Sequence, residues 1–591
     1  MLKATSCELD LFSDPEIFRM VDRGIRGGIA VITHRRARAN NPLLGPTYYN
    51  PAEPTSYIIY LDANNLYGWA MSQSLPCSTF ELVTGEDVAG VDWLSVDDDA
   101  EIGYFLEVDL EYPPELHDGH NEYPLAAERL QVTRDMISAK QVYLKRVYNL
   151  PRNSRVEKLT PNLKNKTHYL CHYRLLKFYI AHGMRLTKVH RAIKFRQSKG
   201  LESYIVKNQN LRKEARTAFQ KDFFKLMNNS VYGKTCENQK KRTDIRLVTD
   251  EQQVRKLIEK PHCKDFRIFN ENLVGIELRK VRSHINKPFY TGFAVLELSK
   301  LHMYRFHYDY MKLKYGARAK LLFTDTDSLM YHVQTDNIYA DIFADRAEFD
   351  LASYPRTSPY YDATNDKSIG KFKDEASGEP ILEFIGLRPK MYSFVTVSDV
   401  DNARGAKLTE KHRAKGIQFA AQRGLRHADY ERQLEQPATT SLINRRIGSK
   451  SHQLYTIETE KRALCSYDDK RYLLDDNISS LAFGHKDIPA GAVETVEEEG
   501  ADLDQVLVQP QRDVANSEEE FEASESDEEA PTGSSSAAQG IHPIDLTLSD
   551  DEEAPLPDHP LLRAYALDRS AATKPKHPES ATGASSTSVR H

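Results

Sequence analysis

A short acidic turn between two apolar runs is the first guide to the fold. Residues 321–333 read LLFTDTDSLMYHV, in which Asp325-Thr326-Asp327-Ser328 separates two β-prone segments. Asp and Ser favour tight turns, and apolar runs of this length between turn signals favour strands, so the segment predicts a β-hairpin. Its tip would carry two carboxylates side by side.

A second strand with a terminal carboxylate is predicted earlier in the chain. Residues 57–61 (YIIYL) form a short apolar run that ends at Asp62, as expected of a buried strand. Residues 104–110 alternate polar and apolar side chains and predict another strand. Residues 125–148 and 207–232 are predicted to be helices. The sequence therefore indicates a mixed, α+β architecture.

Carboxylates at strand ends are suited to hard cations. Magnesium takes oxygen ligands in octahedral geometry and shares them with phosphates, and two such ions about 4 Å apart can assist phosphoryl transfer. Asp325 and Asp327 also have a simpler interpretation, because Asp is a common residue of solvated turns. A DxD pair is also found in nucleotide-sugar transferases, which bind a metal diphosphate. The hairpin alone leaves these alternatives open.

The segment KLMNNSVYGKT, residues 225–235, lies on the second predicted helix. At about 100° per residue, one arc of this helix carries lysines and another carries apolar side chains. The lysines are Lys213, Lys221 and Lys225, and the apolar residues are Phe219, Phe223 and Leu226. The apolar arc is expected to pack inward, with Gly233 as the C-cap. The lysines are then either a solvated surface or ammonium groups offered to a triphosphate.

Taken together and in this order, the three segments resemble motifs A, B and C of family B DNA polymerases, specifically the protein-primed branch of organellar and viral type B enzymes. DANNLYG at residues 62–68 resembles the family's DxxSLYP, with Asn65 and Gly68 in place of Ser and Pro. KLMNNSVYG matches KxxxNSxYG without a gap, and FTDTDS resembles the YxDTDS turn. The variant DANNLYGWAM is similar to polymerases of Polinton/Maverick elements and related eukaryotic viruses. The resemblance covers roughly residues 1–486.

The resemblance implies a set of catalytic and nucleotide-binding residues. Asp62 and Asp327 would ligate two magnesium ions, with Asp325 beside them as the third catalytic carboxylate. The groups around the incoming deoxynucleotide would be Lys213 and Lys225 at the triphosphate, Tyr67 against a ribose 2′-hydroxyl, and Asn229 and Tyr232 at the nascent base pair. Without the motifs, Tyr67 and Tyr232 would be interpreted as core residues.

Two further segments resemble DNA-contacting motifs of the same family. Ile25-Arg26-Gly27-Gly28 resembles the YxGG loop that contacts the template, with Ile in place of Tyr. Lys390-Met391-Tyr392 resembles the KxY motif that steadies the primer end. The DNA-binding residues implied are Arg26, Gly27, Gly28, Thr326, Lys390 and Tyr392.

The implied fold is a right-hand polymerase with palm, fingers and thumb, followed by a disordered acidic tail. The predicted boundaries are a junction remnant at 1–24, the first part of the palm with motif A at 25–112, a palm and insertion region at 113–202, fingers at 203–235, a second insertion at 236–277, palm with motif C and KxY at 278–392, thumb at 393–486, and the tail at 487–591. Only 24 residues precede Ile25, too few for the usual exonuclease domain, so no proofreading is expected of this chain. Asp109-Leu110-Glu111 imitates an exonuclease motif but follows motif A.

The charge is divided between a basic body and an acidic tail. The whole chain has a net charge of -6, whereas residues 487–591 contain 24 acidic and 6 basic residues. Such a body attracts a polyanion. The tail also contains PIDLTL at 543–548 followed by SDDEE, which resembles a SUMO-interacting motif with Ile544, Leu546 and Leu548 as the inserted side chains. A peptide of this kind adds a strand to a sheet edge. It implies SUMO as a partner and a eukaryotic nucleus, or otherwise the cytoplasm, as the location.

The predicted function is template-directed DNA synthesis with two magnesium ions, in protein-primed replication of a mobile element or viral genome. The expected partners are primer–template DNA, deoxynucleotides, a terminal protein that supplies the priming hydroxyl, and SUMO, with no membrane. The six cysteines form no CxxC pair, which argues against a disulfide scaffold or a zinc ribbon, and no apolar run is long enough to form a transmembrane helix. The alternative is a catalytically silent, domesticated protein that binds DNA and SUMO.

Overall fold

A computed structural model describes residues 1–489 except 90, 152–155, 240–241, 281–284, 402–404 and 451–452. All of these belong to one structural unit. Residues 490–591, which include the SUMO-like segment and all but the first three residues of the predicted tail, lie outside the described residues. Within the described part of the chain, none of the helices combines the length and the apolar character needed to cross a bilayer.

Fifteen α-helices are described. They are α1 (Leu2–Thr5), α2 (Pro15–Gly24), α3 (Leu66–Met71), α4 (Glu86–Ala89), α5 (His117–His120), α6 (Ala139–Val147), α7 (Tyr173–Ala181), α8 (Glu202–Glu214), α9 (Ala218–Thr235), α10 (Glu251–Ile258), α11 (Phe289–Arg305), α12 (Leu313–Tyr315), α13 (Ile338–Ala344), α14 (Phe419–Gln422) and α15 (His427–Glu435). A π-helical segment, Phe306–Lys312, joins α11 to α12.

The strands in the described residues are β1 (Ala30–Ile32), β2 (Arg36–Arg38), β3 (Ser56–Ala63), β4 (Leu75–Thr84), β5 (Ile102–Glu111), β6 (Glu128–Gln131), β7 (Glu157–Thr160), β8 (Lys166–His172), β9 (Arg185–Ser198), β10 (Asp244–Val248), β11 (Cys263–Asn270), β12 (Leu273–Leu278), β13 (Ala319–Asp325), β14 (Ser328–Gln334), β15 (Phe349–Asp350), β16 (Phe372–Asp374), β17 (Ile381–Arg388), β18 (Met391–Asp401), β19 (Gly405–Ala414), β20 (Ser441–Lys450), β21 (Gln453–Arg462), β22 (Tyr472–Leu473) and β23 (Ser480–Leu481). With the helices they confirm the predicted α+β class.

The largest sheet brings the two predicted acidic strand ends together. Its order is β1-β13-β14-β3-β17-β18-β19, and β16 also pairs with β3. The hairpin of β13 and β14 and the strand β3 are confirmed where the sequence predicted them. β14 runs antiparallel to β3 and places Ser328 opposite Asp62. The turn of the hairpin therefore lies beside the end of β3.

Helix α11 supports the sheet from within the core. Phe289–Arg305 is apolar around nearly its whole circumference, and 15 of its 17 residues are buried, as expected of a helix surrounded by other elements. It contacts α3 and α9, which carry Tyr67, Lys225, Asn229 and Tyr232, and it also contacts α7. The core thus joins the strand layer to the helices that cover the site.

Two smaller sheets are separate from the sheet that carries the motifs. β4, β9, β5 and β8 form a separate four-stranded sheet, so the predicted strand at 104–110 exists but does not lie in the motif-bearing sheet. The predicted first palm segment, 25–112, is therefore divided between two sheets. β10, β12 and β11 form a three-stranded sheet with α10 against it, close to the predicted second insertion at 236–277.

Both long predicted helices are wrong in extent. Residues 125–148 contain strand β6 and then the shorter α6, which begins at a capping box formed by Ser138 and Gln141. Residues 207–232 form two helices, because Thr217 and Gln220 form another capping box that starts α9. A capping box satisfies the first backbone N–H groups of a new helix, so each one marks a helix beginning inside the predicted span.

The segment predicted as a thumb begins inside the main sheet. Position 393 lies within β18, which pairs with both β17 and β19. Only then follow α14, α15 and the hairpin of β20 and β21. Arg35, which is 1% exposed, ties this region to the sheet by donating hydrogen bonds to backbone carbonyls of Leu387 and Ser466.

Candidate active site

Three carboxylates gather where β3, β13 and β14 meet. Asp62 is the penultimate residue of β3, and Asp325 and Asp327 stand at the turn between β13 and β14. The backbone fixes their places, since the Ala63 N–H donates to the Asp327 carbonyl at 2.8 Å and the Asp327 N–H donates to the Asp325 carbonyl at 2.8 Å. The structure therefore brings together all three predicted catalytic residues.

The carboxylates destabilise one another's charge. Burial and the neighbouring Asp327 charge raise the pKa of Asp62 well above its usual range. Burial and the charge of Asp325 raise the pKa of Asp327 as well. Crowded like charges of this kind are relieved by cations, and carboxylate oxygens are the ligands that magnesium prefers. The donor set thus fits a divalent cation held by Asp62 and Asp327.

Several basic side chains face these carboxylates. The Lys390 ammonium is 3.4 Å from Asp325 Oδ1, and the Lys373 ammonium is 3.8 Å from Asp62 Oδ1. Lys225 of α9 is half-buried, and its positive charge acts on both Asp62 and Asp327. Burial, and then the cations Arg212 and Lys373, lower the pKa of Lys225. An anion such as a phosphate would relieve this crowding of positive charge.

The break between α8 and α9 places Lys213 and Lys225, predicted to share one helix, on two different helices. Lys213 is exposed near the end of α8, whereas the neighbouring Arg212 is half-buried and acts electrostatically on Lys225 and Lys373. In the described part of the chain, Arg212 Nε is buried without a hydrogen-bond partner. We therefore place Arg212 in the candidate triphosphate site, where the sequence had indicated Lys213.

Helix α9 presents the opposite face to the one predicted. Phe219, Phe223 and Leu226 are 78%, 42% and 56% exposed, so the apolar arc does not pack inward. Lys225 points to the carboxylates instead. The predicted C-cap is also wrong, because Gly233 lies within α9 and Cys236 follows its last residue.

Tyr67 and Tyr232 form a stacked pair beside the carboxylates. Their ring centres are 4.1 Å apart with planes inclined by 23°. Asn65, at φ 46°, caps α3 by accepting a hydrogen bond from the Gly68 N–H, and a Cβ at Gly68 would meet the Asn65 side chain at 2.2 Å. Asn65 and Gly68, the two residues that depart from motif A, therefore contact each other and set the start of α3, the helix that carries Tyr67. Asn229 is half-buried on α9.

The Ile25–Gly28 loop touches the acidic turn directly. The Thr326 N–H donates to the Ile29 carbonyl at 2.7 Å, and Thr326 has φ 64°. A Cβ at Gly28 would lie 2.5 Å from the Thr326 side chain, so only glycine fits this approach. This close packing explains the second glycine of the motif, while Gly27 is exposed.

Arg26 is directed away from the turn and into the protein. Its guanidinium lies 3.8 Å from the centre of the Tyr169 ring and donates to the Leu170 carbonyl at 2.8 Å. Lys300 of α11 donates to the Arg26 carbonyl at 2.9 Å. These contacts position the loop, whereas the resemblance to the family had implied that Arg26 binds DNA.

The KxY residues approach the same turn from β17 and β18. Lys390, at φ 62°, lies in the tight connection between these strands. Tyr392 is buried, stacks on Phe323 at 4.7 Å and exchanges a hydrogen bond with the Tyr60 hydroxyl at 3.2 Å. Tyr392 therefore supports the strands beneath the carboxylates, and Lys390 is the member of the pair that reaches them.

A different acidic cluster lies at α5 and the end of the described body. Asp118, His485 and Asp487 place potential ligand atoms within 4.8 Å of one another. The Lys486 ammonium already pairs with Asp118, so this group has its own cation. The DNA-polymerase-like motifs do not include it.

A comparison with protein families gives a match that spans the first two of the three motifs. Residues 47–309 match the model of the family described as DNA polymerase type B, organellar and viral. No curated protein sequence gives a significant match. The solved structures that the chain resembles include Phi29 DNA polymerase with primer-template DNA and incoming nucleotides, at 14% identity and TM-score 0.47, and the same enzyme with primer-template DNA alone, at 13% and 0.46. In both cases the match covers 78% of this chain and 65% of the other.

Proposed function

We propose that this chain, whose residues 47–309 match the model of the organellar and viral type B DNA polymerases, is a DNA-directed DNA polymerase. The observation that carries the proposal is the register of β3 against β14, which places Asp62 beside the Asp325–Asp327 turn. Lys225 and Arg212 complete the site with positive charge. Nucleotidyl transfer requires carboxylates that bind metal cations and basic side chains that bind the phosphates.

The catalytic contribution of these residues is positioning and charge. Two magnesium ions, when bound, would neutralise developing charge on the attacking and leaving oxygens. Asp62 and Asp327 would hold them, and Asp325 sits next to Asp327 with Lys390 as its counter-ion. Lys225 and Arg212 would bind the triphosphate. The Tyr67–Tyr232 stack would form the surface against which the sugar and base pair are placed.

The test is extension of a labelled primer–template by the purified full chain with magnesium and deoxynucleotides. We expect template-directed extension that requires the divalent cation. Omission of one deoxynucleotide should stop synthesis at the corresponding template base. DNA binding without any extension, in magnesium or manganese, would contradict the proposal and favour a silent DNA-binding protein.

Protein-primed replication of a mobile element or virus is a finer proposal. It is supported by the resemblance of DANNLYGWAM to polymerases of such elements. In this mode the first nucleotide is joined to a protein hydroxyl. Label from a deoxynucleotide would then become attached to a protein in a reaction that contains template but no DNA primer, whereas label found only in DNA would count against it.

Binding to SUMO and a nuclear location are proposed from the tail sequence alone. PIDLTL with its following acids has the composition of a strand-adding peptide. The double change Ile544→Ala with Leu546→Ala should abolish capture of the full chain by immobilised SUMO. Leu548 is expected to contribute to the same contact. Capture that is unchanged by the double substitution would refute the assignment.

A further inference from the structure

Lys373 is a cation of the candidate active site that lies outside the family match and outside the motifs. β16 pairs antiparallel with β3 and places Lys373 directly opposite Asp62. The Lys373 Nζ atom is 3.8 Å from Asp62 Oδ1 and 2.6 Å from Glu375 Oε1. Because directly opposed residues on antiparallel strands project from the same face, the sheet itself fixes this Lys–Asp pair.

The ammonium of Lys373 lies between two carboxylates at the border of the site. The side chains of Lys373, Asp62 and Glu375 are 28%, 24% and 30% exposed, so all three are partly open to solvent. A basic side chain therefore stands next to a carboxylate that would bind a divalent cation.

Lys373 differs in origin from Arg212 and Lys225, the two cations of the site that helices carry. Arg212 and Lys225 come from helices α8 and α9, whereas Lys373 belongs to the strand layer that carries the carboxylates. It is therefore placed to compete with a metal ion for Asp62 itself. Glu375, two residues along, provides a second carboxylate that can retain the ammonium.

We propose that Lys373 is a positioning residue that weakens the binding of a divalent cation at Asp62. This inference rests on the proposed function. The ammonium repels an incoming cation and shares its ligand. When the cation occupies Asp62, the ammonium of Lys373 would pair with Glu375 instead. The negative charge of a nucleotide triphosphate would offset this repulsion, so the cation would bind mainly together with its nucleotide.

The experiment titrates Mn²⁺ alone, without nucleotide or DNA, into the full chain, and measures free Mn²⁺ by electron paramagnetic resonance. Lys373→Met keeps the length of the side chain and removes its charge, and we expect about tenfold tighter Mn²⁺ binding, the order given by a unit charge near a divalent ion in a solvent-screened site. Lys373→Arg should stay close to the unsubstituted protein. Glu375→Gln leaves the ammonium to Asp62 alone and should weaken binding.

The outcomes separate this inference from the proposed function. Asp327→Asn should remove the Mn²⁺ site, and if it does not, the proposed function fails together with the inference. If Asp327→Asn removes the site but Lys373→Met leaves the affinity unchanged or lower, only the inference is overturned. A raised KM for deoxynucleotides with unchanged Mn²⁺ affinity in Lys373→Met would also overturn it and assign Lys373 to the triphosphate. Circular dichroism of each variant reports whether the fold is retained.

Discussion

Asp327→Asn is expected to lower the rate of primer extension by about 10³-fold or more, equivalent to about 4 kcal/mol of transition-state stabilisation. The substitution keeps the size of the side chain and removes the charge that would hold a divalent cation. Burial and the charge of Asp325 raise the pKa of Asp327, so its ionised form is destabilised in the absence of a cation and would be stabilised by a bound one. Asp62→Asn should have an effect of the same order.

The matched control is Asp109→Asn. Asp109 belongs to the sequence that imitates an exonuclease motif, and it lies on β5 in the four-stranded sheet, paired with His190 at 2.8 Å. Its substitution should leave the extension rate within about twofold, as expected of a surface change away from the site. Equal losses in Asp109→Asn and Asp327→Asn, or full activity in Asp327→Asn, would show that the three carboxylates are not the catalytic centre.

The strands of the site could be predicted because their signals are local. The apolar run before Asp62 and the two runs around Asp325–Asp327 have the length and composition of buried strands, and the turn residues between the latter leave little choice of connection. Sequence reasoning could not give the register between β3 and β14, which depends on residues more than 250 positions apart. That register is what makes three scattered acids one site.

The helices were less predictable because the hydrophobic periodicity of the sequence shows neither the break between α8 and α9 nor the direction that α9 faces. The pattern of residues 207–232 continues smoothly through a helix break, yet Thr217 and Gln220 form a capping box that could have been recognised in the sequence. Phe219 and Leu226 are exposed, contrary to the rule that apolar arcs face the core, and the buried residues of α9 are Asn228, Tyr232 and Thr235. Local rules fail here where the candidate site sets the orientation.

Sequence reasoning did not identify Arg212 and Lys373 as candidate site residues, for a related reason. Neither belongs to a recognisable motif, and each becomes a site residue only through a neighbour distant in sequence: Lys225 for Arg212 and Asp62 for Lys373. The helical wheel favoured Lys213 because it assumed one uninterrupted helix. Once α8 ends at Glu214, the phase relation between Lys213 and Lys225 no longer holds.

Arg212→Ala is expected to raise the KM for deoxynucleotides by about 10- to 100-fold, the range for losing a charge-assisted hydrogen bond of about 1.5–3 kcal/mol. Its Nε atom is buried and, within the described residues, has no hydrogen-bond partner, so it is able to donate a hydrogen bond to an anionic ligand. Steady-state single-nucleotide incorporation at varied deoxynucleotide concentration measures the change.

Lys213→Ala is the matched control, because it removes a cation from the adjacent position on the same helix. Lys213 is exposed, so its substitution should change KM by less than about twofold. Arg212→Lys should recover part of the loss, since it keeps the charge but not the planar, two-pronged geometry of a guanidinium. The reverse pattern, a large effect at Lys213 and none at Arg212, would mean that α8 turns its other face to the nucleotide and that the helical phase assumed from the sequence holds in the working enzyme.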